Sequence, residues 1–207
     1  KALGPEHPDT AKSLNNLAGL YKRQGLYSKS EPLYLRALAI AEQALGPEHP
    51  STALILNNLA VVYKNQGLYS KSEPLYLRAL DINENALGPE HSDTAVSLNN
   101  LARLYESQGL YSKSEPLYLR ALEINEQALG PEHPSTALSL NSLAGLYKSQ
   151  GLYSKAEPLY LRSLAIAEQA LGPEHWYTAA SLNNLANLYD DQALYSRAEP
   201  LYLRALA

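Results

Sequence analysis

The tetrapeptide Gly-Pro-Glu-His begins at Gly4, Gly46, Gly88, Gly130 and Gly172, an interval of 42 residues each time. The stretches between these markers match almost letter for letter. A fixed period of this size excludes a globule with one private core, because each period must form one supersecondary unit that packs on its neighbours. The 207 residues hold four periods and a shorter fifth. A single domain is therefore expected, with repeats at about 8–45, 50–87, 92–129, 134–171 and 176–207. Function should belong to a surface that recurs along the stack.

Within one period the apolar residues Ala11, Leu14, Leu17, Ala18 and Tyr21 follow the i, i+3, i+4, i+7 spacing of an amphipathic helix. Pro8 suits its first turn, and Asp9 adds negative charge where the helix dipole favours it. Gly25, with Gly67, Gly109 and Gly151, stands where a left-handed residue ends the helix. Ala193 replaces it in the last unit and should cost about 1 kcal/mol if that conformation is kept. Ser28-Lys29-Ser30-Glu31 reads as a capping box that opens a second helix, with Tyr27 stapled onto Pro32. The second stripe runs through Leu33, Tyr34, Ala37, Leu38, Ala41 and Leu45 until Gly46-Pro47 stops it. Each unit is thus an all-α helical hairpin, and five hairpins hide their stripes by stacking.

Composition limits the partners. A net charge of -4 argues against nucleic acid, whose phosphates need clustered lysine and arginine. No apolar run approaches the roughly 18 residues of a membrane span, and no membrane association is expected. The chain contains neither cysteine nor methionine. The first excludes a disulfide framework and fits a reducing, cytoplasmic setting. The second, together with Lys1-Ala2-Leu3 matching the tail of a preceding unit and Ala207 stopping mid-pattern, suggests a piece of a longer array.

Leu14, Leu17, Ala18, Tyr21, Ser30, Tyr34 and Ala37 follow the order of the tetratricopeptide signature, at a period of 42 instead of 34. The strings Leu14-Asn15-Asn16-Leu17-Ala18-Gly19-Leu20-Tyr21, Glu31-Pro32-Leu33, Arg36-Ala37-Leu38 and Leu45-Gly46-Pro47-Glu48-His49-Pro50 resemble the repeats of kinesin light chains and nephrocystin-like proteins. Bacterial arrays of near-identical 42-residue tetratricopeptide units resemble the chain even more closely. The resemblance implies a right-handed superhelix with first helices on the concave face. It also implies a non-enzymatic scaffold that holds peptide segments of partner proteins in that groove. The carboxylate clamp of chaperone-binding relatives is not reproduced, because asparagine stands where its lysine would.

Candidate chemistry is sparse. His7, His49, His91, His133 and His175 occupy equivalent positions, roughly 10 Å apart if one helix diameter separates units. Zinc ligands must converge at about 2 Å, so a polar role at a helix start is expected and no metal is assigned. Every reactive side chain recurs about five times, whereas a catalytic site is one asymmetric cluster. No catalytic residue and no cofactor is therefore assigned. Asn15, Asn57, Asn99, Asn141 and Asn183 are the notable feature, each followed by Asn16, Asn58, Asn100, Ser142 or Asn184. Asparagine costs roughly 0.6 kcal/mol against alanine inside a helix. Either these amides hold the backbone of a bound peptide or they tie neighbouring hairpins together. The first asparagine of each pair is assigned to peptide holding and the second to packing.

Groove positions that vary should set specificity. They carry Lys12, Leu54, Val96, Leu138 and Ala180, then Gly19, Val61, Arg103, Gly145 and Asn187, then Lys22, Lys64, Glu106, Lys148 and Asp190. Acidic residues of a ligand would lie toward Lys12, Lys22, Arg23 and Lys64. Head-to-tail self-association through apolar terminal repeats, giving a spacer or rod, is a second expectation. A third is a sensor arm on a larger protein.

Overall fold

A computed structural model describes Gly4 and residues 6–206 of the chain. The expectations at Lys1-Ala2-Leu3 and Ala207 lie outside the described residues. Ten helices and no strand occur among them: α1 (Pro8–Arg23), α2 (Tyr27–Ala44), α3 (Pro50–Asn65), α4 (Tyr69–Ala86), α5 (Ser92–Ser107), α6 (Tyr111–Ala128), α7 (Pro134–Ser149), α8 (Tyr153–Leu171), α9 (Trp176–Asp190) and α10 (Tyr195–Ala205). The described residues separate into two compact units, within Lys1–Leu104 and Tyr105–Ala207.

In the first unit α1 packs on α2 and α3 on α4, and α2 also packs on α3. One apolar cluster there takes Ala18 from α1, Tyr34, Ala37, Ile40 and Ala41 from α2, and Ile55, Leu59 and Val62 from α3. In the second unit α7 pairs with α8 and α9 with α10, while α6 packs on α7 and α8 on α9. Ala137 and Leu140 of α7, Ile166 and Ala167 of α8 and Tyr177 of α9 form one cluster. The stripes of α2 and α8 are thus completed by α3 and α9, the first helices of the next hairpins. Apolar burial within hairpins, as where Ala53 and Leu56 of α3 meet Ala79 and Ile82 of α4, and between hairpins together supplies the hydrophobic stabilisation.

Helix ends follow local chemistry. Histidine is the N-cap of four first helices, its Nδ1 accepting from the backbone N–H two residues on, in His7, His49, His133 and His175. The same 3.1 Å bond joins the Asp93 N–H to His91. Threonine fixes the preceding loop, with Thr52 Oγ1 donating to the Gly46 carbonyl at 2.9 Å and Thr136 to that of Gly130 at 2.8 Å. Gly25 has φ +72°, and Ala193 keeps the left-handed conformation at φ 57°.

The capping box is not formed. The second helix begins at Tyr27 behind Leu26, which makes no side-chain cap. Ser30 donates instead to the Ala18 carbonyl at 2.7 Å and braces the hairpin. Glu31 accepts from the Tyr63 hydroxyl of the following hairpin at 2.8 Å. Glu115 and Glu157 accept likewise from Tyr147 at 2.7 Å and Tyr189 at 2.9 Å. A carboxylate bond to a phenol 32 residues away outcompetes the exposed local cap. Tyr27 is consequently the first helical residue, partly buried against the core cluster, and Pro32 lies inside the helix.

Candidate functional site

The first helix of each hairpin brings the expected groove residues onto successive turns. In the first unit Lys12 is exposed and lines a cavity of about 290 Å³ with Asn15, Leu45 and Leu54. A second cavity of about 290 Å³ is lined by Leu54, Asn57, Asn83 and Val96. Leu54 and Val96 are exposed beside these cavities; in the second unit their equivalent Leu138 is exposed, and so is Trp176 at the start of α9. Leu54, Val96 and Leu138 recur at one position of the first helices, as the exposed Leu35, Leu77, Leu119 and Leu161 do on the second helices.

The amides divide into distinct environments. Asn15 Oδ1 accepts from Asn58 Nδ2 at 3.1 Å, and Asn58 Oδ1 accepts from Lys22 Nζ at 3.2 Å. In the second unit Asn141 Oδ1 accepts from Asn184 Nδ2 at 3.0 Å. Asn58 and Asn184 therefore tie hairpins together, each through the first asparagine of the preceding hairpin, amide to amide instead of amide to backbone. These bonds use the carbonyl oxygens of Asn15 and Asn141 and leave their NH2 groups as donors. Asn57 is only 7% exposed and gives its Nδ2 to Ser97 Oγ at 3.0 Å. Asn99 is half-buried, whereas Asn183 is exposed.

The cations also differ. Lys22 is half-buried, and burial, then repulsion from Arg23, holds its ammonium below the usual lysine range. Lys64 is half-buried and Arg103 exposed. Lys148 pairs with Asp191 at 2.9 Å, so its charge is internally compensated.

Sequence reasoning missed two sets of residues. Asn83 donates to Ser97 Oγ at 2.9 Å, and Asn125 to Ser139 Oγ at 2.9 Å, forming buried polar locks between hairpins. Arg78 reaches Glu42 at 2.6 Å and Arg162 reaches Glu126 at 2.5 Å, ion pairs that repeat the same junction geometry. Their signal was the 36-residue spacing from arginine back to glutamate, visible only once the hairpins are registered. Among the described residues no group of three or more metal-ligating side chains gathers, and no helix is long and apolar enough to cross a membrane.

A family model of the tetratricopeptide repeat matches residues 9–71, 51–127, 107–169 and 143–207. Among solved structures, a kinesin-light-chain candidate of Podosopora anserina with nearly identical TPR-like repeats is similar at 28% identity and TM-score 0.75, over 96% of this chain and 94% of that one. BtubC (BKLC) from P. vanneervenii is similar at 27% identity and TM-score 0.79, over 96% of this chain and 79% of that one. A Rap protein complexed with competence and sporulation factor shares the fold, at 18% identity and TM-score 0.79, over 93% of this chain and 52% of that one. Comparison with curated protein sequences gives no match.

Proposed function

From the premise that the chain belongs to the tetratricopeptide repeat family, whose repeats generally mediate protein–protein interactions, we propose that it holds extended peptide segments against its first helices. The carrying observation is the amide row. Asn15 and Asn141 keep free NH2 donors beside exposed apolar residues, and Asn183 offers its whole amide. A row of amides bonds the peptide backbone without reading its sequence, and the neighbouring Lys12, Leu54, Val96 and Leu138 select side chains. Isothermal titration of peptides selected from a random display library tests this reading. The Asn15→Ala/Asn141→Ala/Asn183→Ala variant should bind about tenfold or more weakly, since each lost bond is worth about 0.5–1.5 kcal/mol. Unchanged affinity contradicts it.

One observation favours a second contact, between copies of the chain. Leu17 and Leu20 of α1 are 41% and 42% exposed, whereas their equivalents Leu59 and Val62, covered by α2, are 1% and 0% exposed. Leu203 on α10 and Leu206 at its C-cap are exposed too. Joining these two faces is heterologous, so size should grow with concentration. Sedimentation velocity should show this growth, and Leu17→Lys/Leu20→Lys should abolish it. A wild-type chain that stays monomeric at high concentration removes this reading.

A further inference from the structure

Between the first hairpin and α3 lies a polar cavity of about 250 Å³ whose lining includes Asn15, Gly19, Lys22, Arg23, Tyr34 and Asn58. Among the described residues neither Lys22 nor Arg23 pairs with a carboxylate. Lys22 donates only to the neutral Asn58 amide, and its ammonium is disfavoured by burial and by Arg23. The Tyr34 side chain is fully buried, and its hydroxyl has no hydrogen-bond partner. A buried hydroxyl left unsatisfied costs about 1–3 kcal/mol. That hydroxyl faces the space over Gly19, since a Cβ built there would meet it at 3.4 Å. Glycine within a helix costs up to about 1 kcal/mol against alanine, and here it keeps the cavity open.

The third repeat shows what such a hydroxyl accommodates. Tyr118, equivalent to Tyr34, donates to Glu106 Oε2 at 2.8 Å, and Glu106 occupies the position held by Lys22. The first repeat thus replaces an internal carboxylate with a cation, adds Arg23, and leaves the phenol without its acceptor.

We infer that this cavity is a carboxylate-binding subsite, taking an acidic side chain of a bound peptide. Tyr34 donates its O–H to one carboxylate oxygen, the Arg23 guanidinium donates to the carboxylate in a charge-assisted bond, and Lys22 supplies the second positive charge. The assignment rests on the peptide-holding reading for the source of the carboxylate, but the subsite itself is testable with acetate alone.

The test is two-dimensional NMR of the full chain titrated with acetate, then with the peptides acetyl-Ala-Ala-Glu-Ala-Ala-amide and acetyl-Ala-Ala-Gln-Ala-Ala-amide. Acetate should shift the Gly19 amide and the Arg23 Nε–H saturably. Arg23→Gln should weaken acetate by about tenfold or more. Tyr34→Phe should also weaken it while leaving the fold as stable as before or more so, because an unsatisfied hydroxyl is removed. Lys22→Glu should abolish acetate binding by restoring the internal pairing of the third repeat, with the spectrum of a folded protein. Acetate shifts without any peptide effect uphold the subsite and contradict the peptide reading. Glu and Gln peptides that both shift Gly19 and Arg23 with equal affinity, or acetate that leaves Gly19 and Arg23 unmoved, overturn the subsite.

Discussion

At the scale of single residues, the same position can be solved at different energetic cost. Gly25, Gly67, Gly109 and Gly151 enter the left-handed region at φ near +72°, and Ala193 follows them at φ 57° with its Cβ opposed. Ala193→Gly should therefore stabilise the chain by about 1 kcal/mol, read as a raised urea midpoint with unchanged slope. An unchanged or lowered midpoint contradicts this, because it means the alanine carries no strain. Positions governed by local backbone were legible in the sequence: the glycine stops, the alanine anomaly and the repeat of Pro8 and Pro50 at the helix start. Histidine was legible only as a polar helix-start residue. That its Nδ1 acts as the cap acceptor depends on a ring orientation that no residue pattern specifies.

At the scale of elements, the junctions between hairpins carry information that one repeat cannot reveal. The Ser28–Glu31 pattern satisfies the local rule for a capping box, yet Glu31 serves Tyr63. Local rules fail there because the winning partner belongs to another period. The asparagine pairs were half legible for the same reason. Their helix face followed from periodicity, but the Asn58–Asn15 bond required the register of α3 against α1. Junction chemistry should be exchangeable. Ala41 and Ile55 share one apolar cluster at the positions where α6 and α7 carry Asn125 and Ser139. Asn125→Ala deletes the Asn125 hydrogen bonds and leaves a gap, costing about 2 kcal/mol in chemical denaturation. Asn125→Ala/Ser139→Ile rebuilds the apolar pairing and should recover most of that loss. Additive losses in the double variant contradict interchangeability.

At the scale of the whole molecule, stability is distributed over equivalent contacts, so one perturbation acts at many sites together. Burial, aided by the bond to a carboxylate, pushes Tyr63 and Tyr147 up to about 12. Burial does the same to Tyr34 and Tyr160. A phenol raised above its ordinary value of 10.0 contributes stability that is complete below that value and is lost as pH rises through the folded value. The thermal midpoint should hold up to about pH 10 and fall steeply toward about pH 12, with the 295 nm tyrosinate signal rising late and together with unfolding. Tyr63→Phe should flatten that fall, and a signal complete before any loss of structure contradicts it. The account as a whole stands on where partners bind. Its most direct test is NMR mapping of a library-selected peptide carrying a paramagnetic label at one end. Broadening confined to first helices of one unit, centred on the turn that carries Asn15 or on the turns that carry Asn141 and Asn183, is the predicted result. Broadening centred on the exposed leucines of the second helices, such as Leu35, Leu77 and Leu119, would contradict it.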